Sequence, residues 1–442
     1  MLHTLMDGVK MSVFQNEKEM QEWLEKKFSV IEGLSEIIYN VDDIKHYVPK
    51  NLSEEKIKQT FLYCLESLSI NELLTKNENI SSTKGDSLNP DIFAYAPETQ
   101  SLVIIELKNS SGATREAGTE LSAYAGEIKS ALSYLSDGEV INVIISPFWP
   151  TLLKHHLYNN IFWQDKNTIC LEPFLLDGDI WLKVIDVSVL VQADIPSQFS
   201  EEHLGGYHIC LYDHSQYEVP RPPSKLHQNS KLMKASVSAI ATKGEKMGSH
   251  GFAFLSRGTL LSPYFITVVN AAPFKSIERI LHSSEINSYF DLPLIERKIL
   301  DIYLEYSPEG HGSGVNALYD TARSLLKHIC SPAPEAFNAW SYLKEHILEE
   351  GNPIYFDSWG AFKDLTIKKL ISKCESNQCE MDLNSVSLGL EVLEEIIDKD
   401  YKYINPHYLY GSFFPKEHPH YEEDIEEDIE EDIEDDNNEE FY

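Results

Sequence analysis

The chain has 442 residues, of which 42% are hydrophobic and 24% are charged, as in a soluble globular protein of two or three domains. No apolar run is long enough for a membrane-spanning helix, so we expect no membrane partner. The formal net charge of −34 excludes a protein that binds polyanions over its whole surface, because nucleic-acid affinity depends on phosphate neutralisation by basic side chains. Contact with nucleic acid would need a local basic groove, a metal ion or a partner.

The N-terminus and the cysteines predict a cytoplasmic protein. Residues 1–10 lack the basic flank and the long apolar core of a secretory signal peptide. The six cysteines are scattered at a density typical of free thiols in a reducing compartment. Cys374 and Cys379 have no second Cys or His pair at zinc spacing, so we expect them to be free thiols as well.

Two helices are predicted before the first hairpin. The first begins after Asn16, a suitable N-cap, and runs from Glu17 to about Phe28, with Glu19 in the capping-box position. Glu17 shares the face of this helix that carries the apolar stripe. An acid in the first turn is also explained by the helix dipole alone. The second helix is predicted over residues 54–67.

The stretch from Asn89 to Lys108 predicts a β-hairpin. Residues 92–95 form a short first strand, residues 97–100 form a polar turn, and residues 102–105 form a strongly apolar second strand. Runs this short and β-branched suit buried strands better than helices.

Three side chains with chemical potential stand at the open end of this hairpin. Asp91 opens the first strand, and antiparallel pairing brings it beside Glu106 and Lys108, which share one face because side chains alternate along a strand. Two nearby carboxylates repel each other, and a divalent cation relieves that repulsion. Mg²⁺ takes oxygen ligands, typically one or two carboxylates with water and substrate phosphate. A lysine beside it can orient the attacking water or stabilise charge on phosphorus.

Pro90-Asp91, followed across the hairpin by Glu106-Leu107-Lys108, resembles the motif of the PD-(D/E)XK nuclease superfamily. The placement of the motif after a helix, across a hairpin and before another helix adds to the resemblance, which covers roughly residues 15–190. It implies a restriction-endonuclease-like α/β core, a central mixed sheet flanked by helices. It also implies Mg²⁺- or Mn²⁺-dependent cleavage of nucleic acid phosphodiesters.

The resemblance assigns roles to individual residues. It implies that Asp91 and Glu106 are metal ligands and that Lys108 is catalytic. A first helix often supplies a further acid in this family, for which Glu17 is the candidate, with Glu19 and Glu66 as alternatives.

A helix predicted from about residue 116 to residue 135 extends the resemblance. Its Glu120-Leu-Ser-Ala-Tyr124 sequence is similar to the Gln-Leu-x-x-Tyr pattern of many family members, with Glu in place of Gln. Glu120 would then accept hydrogen bonds behind the metal ligands, or the change could mark lost activity. Tyr124 is expected to be buried and bonded to the hairpin. Arg115, the one base in the preceding polar loop, is the candidate for substrate binding.

Strands predicted at residues 140–146, 168–175 and 181–185 complete the sheet of a first domain, residues 1–190. Residues 191–225 contain Gly205-Gly206 and a proline-rich run, and we predict a linker there.

Residues 226–412 are predicted as a second, mostly helical α+β domain without a recognised family. Residues 250–255 and 264–269 are typical of paired strands. Helices are expected at residues 277–286, 294–304, 315–328, 335–348, 359–373 and 385–397. The glycine loops match neither a phosphate-binding loop nor a nucleophile elbow. We expect this domain to sense a signal, to form a homo-oligomer or to bind a partner protein.

Residues 413–442 are an acidic low-complexity tail, which is expected to be disordered because its like charges repel. Residues 422–440 carry 14 acids and no base, and without them the net charge is still −20. Such a tail could simply aid solubility, or it could mimic phosphates and inhibit a nuclease.

Together these patterns predict a metal-dependent nuclease with DNA favoured over RNA as its partner, in a setting such as anti-phage defence. The alternative is an inactive nuclease-fold scaffold, or an acidic nucleic-acid mimic that binds other proteins. An active site needs Asp91, Glu106 and Lys108 to converge. In a scaffold, Lys108 would pair elsewhere or Asp91 would be buried by packing.

Overall fold

The structure, a computed structural model, describes residues 12–407 with short gaps. The gaps are residues 84, 86, 111, 113, 193–199, 215–224, 259–261, 283–287, 307, 309–312 and 377–381, and side chains are also left undescribed at 114, 115, 313 and 314. The predicted acidic tail lies outside the described residues. The chain forms two compact units, which divide between Ser197 and Gln198.

The first unit contains a mixed six-stranded sheet, in which the strands follow one another in chain order. The three central strands run parallel, and the other neighbours are antiparallel. The strands are β1 (Glu72–Lys76), β2 (Ile92–Ala96), β3 (Ser101–Leu107), β4 (Val140–Ile145), β5 (Thr168–Leu176) and β6 (Asp179–Val184). The predicted mixed sheet is therefore confirmed.

Helices accompany this sheet in an order close to the predicted one. They are α1 (Glu17–Phe28), α2 (Val41–His46), α3 (Leu52–Ser67), α4 (Thr114–Ala131), α5 (Thr151–Tyr158) and α6 (Val187–Leu190). Every residue of β4 is buried, and α3 packs against β5. A strand buried on both faces reads as a continuous apolar run, which is why its position could be predicted.

The start of α1 has a local cause. Asn16 caps the helix by accepting a hydrogen bond from the Glu19 N–H at 2.9 Å, and Glu19 accepts one from the Gln15 N–H at 2.6 Å. Met20 and Leu24, on the apolar stripe of the helix, are fully buried. The predicted N-cap and helix bounds are confirmed, and they fix where Glu17 enters the fold.

The second unit contains a five-stranded antiparallel sheet in the order β10-β7-β9-β8-β11. Its strands are β7 (Leu204–Asp213), β8 (Gly251–Arg257), β9 (Tyr264–Ala271), β10 (Cys330–Ala339) and β11 (Asn352–Trp359). Its helices are α7 (Ser230–Lys246), α8 (Leu294–Tyr306), α9 (Ser313–Leu326), α10 (Trp340–Glu349), α11 (Ala361–Glu375) and α12 (Val386–Ile396). An α+β unit with a β8–β9 hairpin is confirmed, with a larger sheet than predicted.

Part of the predicted linker, 191–225, is instead strand β7, so the linker prediction is wrong for these ten residues. The glycine pair that suggested a linker serves close packing. A Cβ on Gly206 would lie 2.0 Å from the Val268 carbonyl oxygen of β9, so only glycine fits there.

The helix predicted over residues 335–348 is wrong in its first part, because β10 runs to Ala339 and α10 begins at Trp340. Pro332 and Pro334 made a strand an unfavourable prediction. They are accommodated because β10 is the last strand of the sheet in the described part of the chain, where β7 is its one neighbour.

Among the described cysteines, Cys374 differs from the predicted free thiol. Cys64, Cys170, Cys210 and Cys330 are free, whereas Cys374 is disulfide-bonded. Among the described helices, none is both long enough and apolar enough to span a membrane.

Candidate functional site

The open end of the β2–β3 hairpin places Asp91 beside Glu106. Ile92 pairs with Ile105, so Asp91 stands opposite Glu106, one step beyond the last pair. The Leu107 N–H donates a hydrogen bond to Asp91 Oδ2 at 2.8 Å. This contact fixes one carboxylate oxygen of Asp91 at the end of β3.

Glu106 and Lys108 form a buried ion pair at this end of β3. Their residues are 4% and 6% exposed, and Lys108 Nζ donates a hydrogen bond to Glu106 Oε1 at 2.7 Å. The Lys108 backbone is held separately, because its N–H donates to the Ile145 carbonyl at the end of β4, at 3.0 Å. The lysine therefore lies at the carboxyl ends of two adjacent parallel strands.

A third element reaches the lysine from the side. Glu120 of α4 places Oε2 at 2.7 Å from Lys108 Nζ, at ion-pair distance but without the geometry of a hydrogen bond. Glu106 Oε2 is also buried and accepts no hydrogen bond. One ammonium thus serves two carboxylates, and each of them retains an oxygen that no hydrogen bond satisfies.

Burial raises the pKa of Glu106 to about 9; Asp91 adds to this rise and Lys108 opposes it. Burial likewise raises the pKa of Asp91 to about 6, against the opposing effects of the Leu107 N–H and of Lys108. Burial would lower the pKa of Lys108, but Glu106 and Glu120 outweigh it and raise that pKa. At neutral pH Lys108 therefore keeps its positive charge.

Glu17 reaches the end of the same strand. Its Oε1 accepts a hydrogen bond from the Asn109 N–H at 3.1 Å. The Asn109 side chain donates to the Phe14 carbonyl at 3.0 Å and accepts a hydrogen bond from the Ser12 hydroxyl. The segment before α1 is thereby tied to the residue that follows Lys108, and Glu17 adds a negative charge near Asp91.

Tyr124 is buried one turn after Glu120 in α4. Its hydroxyl donates a hydrogen bond to the Asn89 carbonyl at 3.0 Å, just before the hairpin begins. Burial raises its pKa, and the carboxylates of Glu106 and Glu120 raise it further. The tyrosine therefore stays a neutral hydrogen-bond donor that ties α4 to the hairpin.

Three other predicted residues lie elsewhere or are not described. Glu19 caps its own helix, and Glu66 is exposed on α3. Arg115 belongs to α4, but its side chain lies outside the described part of the structure. The sequence analysis missed Asn109, for which its place directly after Lys108 was the available signal.

The carboxylates of Asp91 and Glu106 suit a cation that needs few protein ligands. Within the described residues, no group of three or more His, Cys, Asp or Glu side chains has the arrangement of a metal site. Repulsion from Asp91 nevertheless adds to the raised pKa of Glu106, and Glu106 Oε2 is buried without a hydrogen bond. Both features fit a hard divalent ion whose remaining ligands are water and substrate oxygen.

Comparisons of the chain with protein-family models, with curated proteins and with solved structures find no match.

Proposed function

We propose that the chain is a nuclease that hydrolyses phosphodiester bonds of nucleic acid, DNA in preference to RNA, with Mg²⁺ or Mn²⁺. The observation that carries this proposal is the convergence of Asp91, Glu106 and Lys108 at one end of the β2–β3 hairpin. The mixed sheet, with α1 before the hairpin and α4 after it, supports a restriction-endonuclease-like core for the first unit.

Each residue has a defined part in this proposal. Asp91 and Glu106 would hold the ion, which supplies Lewis-acid activation of water and of the scissile phosphate. Lys108 keeps a positive charge at the site, because its neighbours raise its pKa, and it can stabilise the charge that develops on the phosphate oxygens. Asn109 and Glu17 hold the chain that follows Lys108 in place.

The charge of the protein makes the ion essential for binding as well as for chemistry. Glu106 and Glu120 pair with one lysine, Asp91 and Glu17 add further negative charge at this end of the hairpin, and the rest of the chain is acidic even without its tail. A phosphate group that approaches these carboxylates without a cation is repelled. We therefore expect neither cleavage nor tight binding of nucleic acid in the presence of a chelator.

The test is cleavage of plasmid DNA, single-stranded DNA and RNA with Mg²⁺ or Mn²⁺. Lys108→Ala and Asp91→Asn should each lower the rate by roughly 100-fold or more. Asp91→Asn keeps an oxygen that can accept the Leu107 N–H, so it removes charge with little change of shape. Lys129→Ala is the matched control, because Lys129 lies on α4 and pairs with Asp137 at the surface.

Cutting that both site variants retain would contradict the proposal. Cutting by none of the proteins, on any of the three substrates, would favour the scaffold. That second candidate has one specific observation in its favour: Lys108 is already neutralised by Glu106 and Glu120.

A further inference from the structure

We propose that Glu120 positions Lys108 for the reaction, and that it takes over the ammonium when Glu106 binds a cation. This inference rests on the proposed nuclease function. It names a positioning residue, which acts through Lys108 and need not touch the substrate.

Lys108 is held from two independent elements. Glu106 lies on β3, two residues before the lysine, and Glu120 lies on α4, and each places a carboxylate oxygen 2.7 Å from Nζ. A lysine side chain is long and flexible, so a single contact leaves its ammonium free to move around that contact. The second contact from another element defines where the ammonium lies.

The two carboxylate oxygens of Glu106 differ in their hydrogen bonding. Oε1 accepts a hydrogen bond from Lys108, whereas Oε2 is buried and unpartnered and is therefore the oxygen available to a cation. A cation bound there draws on the charge of Glu106 and also repels the ammonium. Both effects weaken the contact between Lys108 and Glu106.

Glu120 is suited to hold Lys108 when a cation is bound to Glu106. Its Oε2 makes no hydrogen bond in the described structure, so the ammonium has no competitor for it. The helix that carries it is held in place directly after Glu120. Leu121 is 4% exposed, and Tyr124, one turn further, is bonded to the hairpin at Asn89. Glu120 can therefore hold the Lys108 ammonium in place while Glu106 exchanges the ammonium for the cation.

The test measures kcat and KM for DNA cleavage, with Mn²⁺ affinity measured by calorimetry on the full-length protein. Glu120→Ala should lower kcat roughly 10- to 100-fold, the usual effect of misplacing a catalytic group by removing its support. KM and the Mn²⁺ affinity should each change by less than about threefold, since the metal ligands stay in place.

Rescue distinguishes positioning from a general structural effect. Glu120→Gln keeps the length of the side chain but removes the charge that pairs with the ammonium, so we expect its kcat to fall like that of Glu120→Ala. Glu120→Asp keeps the charge but retracts it by one methylene, so its kcat should recover part of the loss, to within about tenfold of the wild type. Glu116→Ala removes an exposed acid one turn earlier on α4 and should behave as the wild type.

Two failures are distinguishable. No cleavage by the wild type overturns the nuclease function and this inference with it. Cleavage by the wild type, together with a Glu120→Ala protein of equal kcat, overturns the inference alone. A Glu120→Gln protein with the kcat of the wild type would also overturn it, because the charge at that position would then not be what holds Lys108. Thermal unfolding of each variant confirms that the compared proteins are folded.

Discussion

Glu106 in the first unit and Glu278 in the second are both almost completely buried, yet their surroundings are opposite. Glu278 accepts hydrogen bonds from His203 at 2.6 Å, from the Tyr401 hydroxyl and from the Ile404 N–H, and it lies 3.1 Å from His282 Nε2. Glu106 accepts one hydrogen bond, from Lys108, and its second oxygen accepts none.

The two pKa values shift in opposite directions for this reason. Burial would raise the pKa of Glu278, but the hydrogen bonds from His203 and Tyr401 outweigh it and the pKa is lowered. His203 is suited to this task because its Nδ1 accepts the Ser200 N–H, which leaves Nε2 to carry the proton that is donated to Glu278. No comparable set of donors surrounds Glu106, and its pKa is raised.

The comparison separates a carboxylate that serves the fold from one that does not. Each oxygen of Glu278 has donors around it, so the group stabilises the chain that it connects. Glu106 is buried with an unsatisfied oxygen beside a second acid, an arrangement that costs stability. A cost of that kind is expected where a ligand, rather than the protein, completes the interactions.

The largest expected effect is loss of stability when the satisfied carboxylate is removed. Glu278→Ala leaves the buried His203 and the half-buried Tyr401 hydroxyl without this acceptor, so we expect unfolding to require about 3–5 kcal/mol less free energy. Chemical denaturation followed by circular dichroism measures this. Glu345→Ala, at an exposed position on α10, is the control and should change stability by less than about 0.5 kcal/mol. If Glu278→Ala lowered the free energy of unfolding by less than about 1 kcal/mol, Glu278 would not stabilise the fold and would not differ from Glu106 in this respect.

Glu106 should also make the free energy of unfolding depend on pH. The ordinary pKa of a glutamate is near 4.5, and that of Glu106 in the folded protein is about 9. Between these values the unfolded chain has lost a proton that the folded protein keeps, so rising pH favours unfolding. Below about 4.5 both states are protonated, and this contribution is constant.

Glu106→Gln should remove that dependence. Relative to the variant, we expect the wild type to lose about 3 kcal/mol of unfolding free energy between pH 5 and pH 7, at 1.36 kcal/mol for each pH unit. Parallel denaturation curves at several pH values measure the difference. Equal slopes for the two proteins would show that Glu106 ionises normally in the fold.

A divalent cation should offset the loss of stability that comes from the buried, unsatisfied carboxylate of Glu106. At a concentration of Mg²⁺ or Mn²⁺ about 100 times the Kd, binding to the folded state should stabilise the wild type by about 2.7 kcal/mol. Glu106→Gln should gain little, and Glu278→Gln should respond as the wild type does if it remains folded. Melting temperatures with and without the ion provide the measurement. Equal stabilisation of the Glu106→Gln protein would place the ion elsewhere.

The smallest expected effect concerns the bond between α4 and the hairpin. Tyr124→Phe removes the donor to the Asn89 carbonyl and should cost about 1 kcal/mol of unfolding free energy, since the exposed Asn89 can bind water instead. Tyr134→Phe is the control, because Tyr134 is fully exposed. Equal stability of both variants would show that Tyr124 acts through packing of its ring alone.

Local patterns predicted the elements that local forces determine. Asn16 and Glu19 fix the start of α1 within four residues, and a short turn fixes which end of β3 meets Asp91. The convergence of Asp91, Glu106 and Lys108 could be predicted because their pairing depends on one hairpin.

The rest depends on contacts between distant residues. Asn109, next to Lys108, accepts a hydrogen bond from Ser12, which lies 97 residues away in the chain. No periodicity in the sequence reveals such a contact. Gly206 and Pro332 disfavour strands locally but occupy strands in the structure, because pairing across the sheet outweighs local preference. The donors around Glu278 come from three separate parts of the chain, and the sequence analysis did not find them.

The prolines of β10 also limit how this protein can associate. The outer edge of a sheet presents backbone groups with which the strand of another molecule can pair. Pro332 and Pro334 supply no N–H, and the strand in which they lie ends the sheet on that side. A continuous ladder of hydrogen bonds cannot form across this edge between two copies. If the second unit joins copies of the chain, as its predicted role suggests, it must do so through side chains or through another edge.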